Sequence, residues 1–177
     1  MSYKIFSKFI LILFVLSASL GACSKSDDQR EFEQEARSGP NGYTETDSQG
    51  EVISEDPDDW RISPMYRGLV TIGEGITGSQ PPYPNPLPLN QDLTLNLYIN
   101  DIETLSKFYI YTFRPPSGLS GPIYSEEDIS SPILLSPPLS GELIAGSSSG
   151  SQASGLYRLL IYDGQDNIIS YGDIRIE

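Results

Sequence analysis

Histidine is absent from this chain, and cysteine occurs once in 177 residues. The first absence removes the imidazole base, the imidazole metal ligand and the Ser-His-Asp and Cys-His nucleophile systems. A single cysteine excludes an internal disulfide and a cysteine-rich zinc site. Positive charge is scarce too: 11 Lys+Arg stand against 24 Asp+Glu, a formal charge of −13. Nucleic-acid binding needs a basic footprint, so no nucleic-acid partner is expected. No apolar run reaches the ~20 residues of a membrane-spanning helix.

What is abundant is punctuation. Sixteen glycines and 14 prolines exceed average use without reaching the ~25–30% typical of disordered chains. Such a composition reads as a loop-rich globular protein and favours strands over helices. The length suits one domain plus extra segments.

The first of those segments is N-terminal. Residues 1–23 read MSYKIFSKFILILFVLSASLGAC. Lys4 and Lys8 form a positive start, and the mostly apolar stretch Phe9 to Leu20 follows. Twelve residues are too few to span a bilayer and fit the apolar region of a signal peptide. The stretch ends in Leu20-Gly21-Ala22-Cys23. This tetrapeptide resembles the lipobox of bacterial lipoproteins. The resemblance implies that the Cys23 thiol receives diacylglycerol, that Leu20, Gly21 and Ala22 guide the signal peptidase, and that cleavage leaves Cys23 as an acylated N-terminus. An ordinary signal peptide that happens to contain a cysteine is the alternative. Several acyl chains give stable anchoring, so the partner implied is a membrane, reached through covalent lipid on Cys23. The mature chain keeps nine Lys+Arg against the same 24 Asp+Glu, a side-chain charge of −15. Ser24, in place of Asp, permits sorting to an outer membrane. Ser24-Lys25-Ser26-Asp27-Asp28 resembles the acidic export signals of some surface lipoproteins, though any acidic tether has that composition.

Residues 23–56 then read as a disordered acidic tether. Aliphatic residues are nearly lacking before Val52 and Ile53, so little apolar surface is available to offset ordering entropy. Asp27 to Arg37 has helix-forming residues, but an isolated helix of that length is marginal in water.

From residue 57 the texture changes. Gly68 to Ile72 is a plausible first strand, and a breaker-rich stretch runs over Gly73 to Pro88. In Asp92 to Asn100, Leu93, Leu95, Leu97 and Ile99 alternate with polar residues and Tyr98, the period of a strand. In Lys107 to Arg114, Phe108 and Ile110 share one face and Tyr109, Tyr111 and Phe113 the other. Ile133 to Leu135 and Glu142 to Ala145 read as edge strands, and the run GSSSGSQASG as flexible. Leu156 to Asp163 is a strand with Tyr157, Leu159 and Ile161 on one face. Gly164 to Asn167 is a turn by composition. Ile168 to Tyr171 and Asp173 to Ile176 flank a bend at Gly172. Six to eight short strands without a convincing helix predict an all-β fold. An immunoglobulin-like antiparallel β-sandwich over 57–177 is the natural solution, with a small barrel as alternative.

Tyr83-Pro84-Asn85-Pro86, the alternating strand, KFYIYTF and then Ser154-Gly155-Leu156-Tyr157 with a closing strand form a wider pattern. It resembles the immunoglobulin-like C-terminal domains of proteins secreted by the type IX route and the related domain of flagellar hook-capping proteins. The match would span residues 83–177. It departs in Leu87-Pro88 after the Pro-Asn-Pro, in the early position of Ser-Gly-Leu-Tyr, and in the acidic Glu177 ending. The resemblance implies a sandwich and a non-catalytic role, without the sorting function.

Hidden chemistry has few places to sit. Asp56-Pro57-Asp58-Asp59 and Glu126-Glu127-Asp128 offer oxygens of the kind Ca²⁺ takes, but neither follows an EF-hand pattern, and solvated acidic turns look the same. No metal ligand set and no cofactor is assigned. Glycosidases need two carboxylates across a sugar, and nothing in the sequence places such a pair. Gly73-Glu74-Gly75 lacks a phosphate-loop context. Tyr109, Tyr111 and Phe113 are the candidate ligand-facing aromatics, suited to a sugar or a protein, and equally to the second face of a core strand. The reading is a lipid-anchored envelope protein, at an outer membrane on the periplasmic or external side. It carries a non-catalytic binding or structural module for an envelope protein or glycan. A carbohydrate- or calcium-binding surface protein is the alternative.

Overall fold

The computed structural model describes residues 25–73, 80–100, 105–129 and 133–177. Its elements run α1 (Asp27–Arg37), β1 (Glu45–Thr46), β2 (Val52–Ser54), β3 (Arg61–Ile62), a 3₁₀ turn (Pro64–Tyr66), β4 (Val70–Ile72), β5 (Asp92–Leu93) and β6 (Leu97–Ile99). Then follow β7 (Phe108–Arg114), β8 (Gly118–Glu126), β9 (Ile133–Leu135), β10 (Leu139–Ser140), α2 (Gly141–Ala145), α3 (Gly150–Ala153), β11 (Gly155–Asp163) and β12 (Ile168–Ile176).

The fold is an all-β antiparallel sandwich. One sheet has the order β3-β12-β11-β7-β8 and the other β4-β6-β9, with β5 and β10 paired separately. Their facing side chains follow the two-residue period of the strands. Phe108 and Ile110, Leu159 and Ile161, and Ile174 and Ile176 meet Val70, Ile72, Leu97 and Ile99 in one buried cluster. The long strand expected over Asp92 to Asn100 is split into β5 and β6, yet Leu93, Leu95, Leu97 and Ile99 are all buried.

Three local expectations are corrected. Residues 142–145 form helix α2, not an edge strand. Ser140 Oγ accepts the Leu143 N–H at its start, and Gly146 ends it with φ 64°, a helix stop that glycine adopts without steric cost. Within the serine-rich run expected to be flexible, Gly150–Ala153 is helical and Ala153 is buried. Gly172 makes no bend. It pairs with Leu159 inside the continuous strand β12, and a Cβ there would lie 2.2 Å from the Trp60 ring. The register shift falls instead at Ile161/Tyr162. The stretch Gly118–Glu126, with Gly121 and Pro122 inside it, also forms a strand that the sequence did not suggest, β8. It lies at the edge of its sheet, where Pro122 removes no inner ladder bond.

The acidic segment differs most. Described from Lys25 onward, it is folded and not a disordered tether. Helix α1 buries Gln29, Phe32, Glu33 and Ala36. Phe32 and Ala36 pack on Leu160, Ile168 and Tyr171, the outer face of the five-stranded sheet. The apolar residues are few but share one stripe, and the sheet face they cover is apolar.

Candidate functional site

The structure treats the sequence-predicted positions unequally. Leu20, Gly21, Ala22 and Cys23 lie outside the described residues. Tyr109, Tyr111 and Phe113 fall on the outer face of β7, all partly buried. Tyr111 meets Tyr162 edge-on, with centroids 5.3 Å apart. Tyr111, Phe113 and Tyr162 border the cluster beneath α1, and the Tyr109 hydroxyl donates to Glu127 at 3.4 Å. The stripe is thus partly the second face of a core strand and partly an aromatic surface beside α1.

A cleft of about 520 Å³, not foreseen in the sequence, opens beside the β1–β2 hairpin. Val52, Trp60, Ile62 and Ile72 supply apolar wall, and Glu55, Asp56 and Asp59 supply carboxylates. Trp60 takes the left-handed backbone conformation, φ 54°, an uncommon state for a bulky residue. Its ring lies over Gly172, which alone leaves it room. Trp60 Nε1 and Thr71 Oγ1 are buried without a hydrogen-bond partner among the described residues.

Asp59 sits at the junction of three segments. Its Oδ2 accepts the Thr44 N–H at 2.8 Å, and its Oδ1 accepts those of Trp60 at 3.1 Å and Asp173 at 2.7 Å. Both oxygens accept backbone N–H groups, so this carboxyl is a structural clasp between the three segments. Burial pushes it up to about 7, and the nearby charges of Asp173 and Asp56 add to the rise against the backbone donors. The unfolded chain releases this proton near the ordinary carboxylate value of about 4. Between that value and about 7 the folded state therefore binds more protons, and stability declines as pH rises through the window. Chemical denaturation at pH 5 and pH 8 is expected to show a loss of up to a few kcal/mol at the higher pH. Asp59→Asn should flatten that slope. A wild-type slope of the opposite sign would refute the assignment.

The other acidic clusters serve local structure. Asp56 Oδ1 accepts the Asp58 N–H at 3.0 Å, and Glu126 accepts the Tyr124 hydroxyl. Among the described residues no group of three or more Asp, Glu, His or Cys is gathered to hold a metal ion.

The densest polar network, also missed from the sequence, is built on Arg158. Its Nε and Nη2 donate to the two oxygens of Asp173 at 2.6 and 2.8 Å, and both side chains are 3% exposed. Its Nη1 donates to the carbonyls of Glu35 and Ala36 in the last turn of α1. One side chain thereby neutralises a buried carboxylate and caps a helix end, where a cation is favourable. Asn85, fully buried in Tyr-Pro-Asn-Pro, works alongside it. Its Nδ2 donates to the carbonyls of Thr44 and Asp173, and its Oδ1 accepts the Arg175 N–H. An arginine between apolar residues of a strand, as in Leu156-Tyr157-Arg158-Leu159-Leu160, was the available signal, because a buried guanidinium needs acceptors.

No protein-family model, curated protein or solved structure matches the chain.

Proposed function

We propose that this protein is a lipid-anchored bacterial envelope protein whose β-sandwich is a non-catalytic binding or structural module. The observation that carries the reading is Leu20-Gly21-Ala22-Cys23 at the end of a short apolar stretch behind Lys4 and Lys8, with no second cysteine in the chain. The residue inventory supports a role without catalysis: histidine is lacking, and Asp59, the acid with the largest upward shift, has both oxygens engaged by backbone N–H groups. The immunoglobulin-like character and the outer-membrane address belong to the same proposal. A mass shift of one diacylglycerol and one acyl chain on Cys23, with the protein in the membrane fraction, is expected. Cys23→Ala should abolish both. Unchanged fractionation of Cys23→Ala, or an unmodified Cys23, defeats the reading.

The partly exposed aromatics favour a second reading, a sugar-binding surface protein. Tyr111 and Tyr162, packed edge to face, leave polarised rings beside Tyr109 for a pyranose to stack on. Glycan-array binding lost in Tyr109→Ala would establish it. Absence of any hit with the folded 23–177 chain would remove it.

A further inference from the structure

The described fold begins two residues after Cys23. Lys25 Nζ is fixed to Glu33 Oε1 at 2.5 Å. The Ser26 side chain caps α1 by accepting the Gln29 N–H. From Cys23 to Asp27 the backbone spans at most about 14 Å, at ~3.5 Å per residue. The 34 residues of an extended acidic tether would have reached roughly 120 Å by the same measure. A short leash on a docked helix limits orientation as well as distance.

The direction of α1 identifies the pole nearest the anchor. Its first half reaches Ser63 through Gln29, beside Ile169, whose carbonyl accepts the Ser63 N–H, and Phe32 at its middle lies 5.2 Å from the Tyr171 ring. Its last turn reaches Arg158, which pairs with Asp173 further along β12. The N-terminus of α1 therefore lies toward the β11–β12 turn, Gly164 to Asn167. The 3₁₀ turn shares that end. Gln29 Oε1 accepts from Ser63 Oγ at 2.7 Å and from the Met65 N–H at 3.2 Å. The Tyr66 hydroxyl donates to Asp163, whose carboxylate also takes the Gln165 and Asn167 N–H groups. Met65 is 43% exposed there, and Arg67, two residues on, is exposed as well. An exposed thioether and an exposed guanidinium on one turn suit the boundary between headgroups and acyl chains.

We propose that the sandwich lies directly against the bilayer that holds its lipid. The Pro64–Tyr66 turn and the Gly164–Asn167 turn face the headgroups, and the β7–β8 turn points away. This inference rests on acylation of Cys23. The opposite pole is one length of β11 distant, about 27 Å for nine residues. It carries Ser117 between β7 and β8, and it is the end free to meet a partner.

The test uses acylated protein purified from membranes and placed in phosphatidylcholine vesicles with an acceptor dye on a minority of headgroups. Donor dyes are attached to Gln165→Cys and, separately, to Ser117→Cys. The alkylated sulfur of Cys23 does not compete for the label. Energy transfer from position 165 is expected to exceed that from position 117 by about threefold, given the ~27 Å separation of the poles. Insertion of a Gly/Ser linker of about 30 residues between Ser24 and Lys25 should bring the two to equality. Equal transfer in the unextended chain, or greater transfer from 117, overturns the orientation. A difference that survives the linker overturns the leash as its cause. Acyl mass is read on the same samples. Missing acyl mass defeats the anchor and this inference together, whereas equal transfer from an acylated chain defeats this inference alone.

Discussion

A chain cut back to residues 57–177 is expected to lose cooperative unfolding, while residues 25–177 unfold in one sharp transition. The cut removes α1 and with it Phe32 and Ala36, leaving Leu160, Ile168 and Tyr171 uncovered. Emptying a buried phenylalanine site alone costs about 3–5 kcal/mol. Polar losses add to this. Asp173 loses the Asn41 N–H, Asp59 loses the Thr44 N–H, and Asn85 loses its paired backbone bonds with Thr46. Arg158 loses its two helix carbonyls. Small domains hold only about 5–15 kcal/mol in total, so these losses take most of the stability. Calorimetry on both chains reads the outcome. A sharp transition in 57–177 within a few degrees of the longer chain would show that the acidic segment is dispensable after all.

Arg158→Met should lower stability by about 3–5 kcal/mol, the usual cost of removing one member of a buried ion pair. The cause is the stranded partner. Asp173 is 2% exposed, and without the guanidinium its charge keeps only the Asn41 N–H among the described residues. The last carbonyls of α1 lose their donor in the same step, and the Tyr171 ring loses the cation 4.6 Å from its centre. The double change Arg158→Met with Asp173→Leu removes both charges. It should destabilise less than the single change, because similar apolar volume often replaces a buried pair with little penalty. Urea titrations of the parent, the two single variants Arg158→Met and Asp173→Leu, and the double variant at pH 7 separate the cases. A double variant as weak as the sum of its single changes would mean that the network matters through shape and not through charge.

Sheet content was legible because strands write their burial into the sequence with period two. Leu93 to Ile99, Phe108 and Ile110, and Tyr157 to Ile161 all face where alternation puts them. Turn chemistry at Gly164 to Asn167 was legible for a similar local reason: Asp163 Oδ1 closes the turn by accepting the N–H groups of Gln165 and Asn167. Helices α2 and α3 were less so, since a five-residue and a four-residue helix leave no periodic trace. Strand β8 was hidden by Gly118, Gly121 and Pro122, which an edge position tolerates.

Helix α1 failed for a different reason. Composition averages over a segment, and its average is strongly polar. Stability came from which residues share a face: Gln29, Phe32, Glu33 and Ala36 recur at helical spacing, and Phe32 and Ala36 among them meet apolar sheet residues far along the chain, Leu160, Ile168 and Tyr171. No local rule contains that partner.

The sequence by itself determined which side chains are available for chemistry, histidine being lacking and cysteine occurring once. One small-residue motif before that cysteine carries the proposed address. The sequence also determined which strand faces are apolar. Only the tertiary structure decided that the acidic segment is part of the fold, that Arg158 joins Asp173 to a helix end, and that Asp59 clasps three segments. Those are contacts between residues far apart in sequence, and their energies depend on burial, which no stretch of chain possesses until the rest has packed around it.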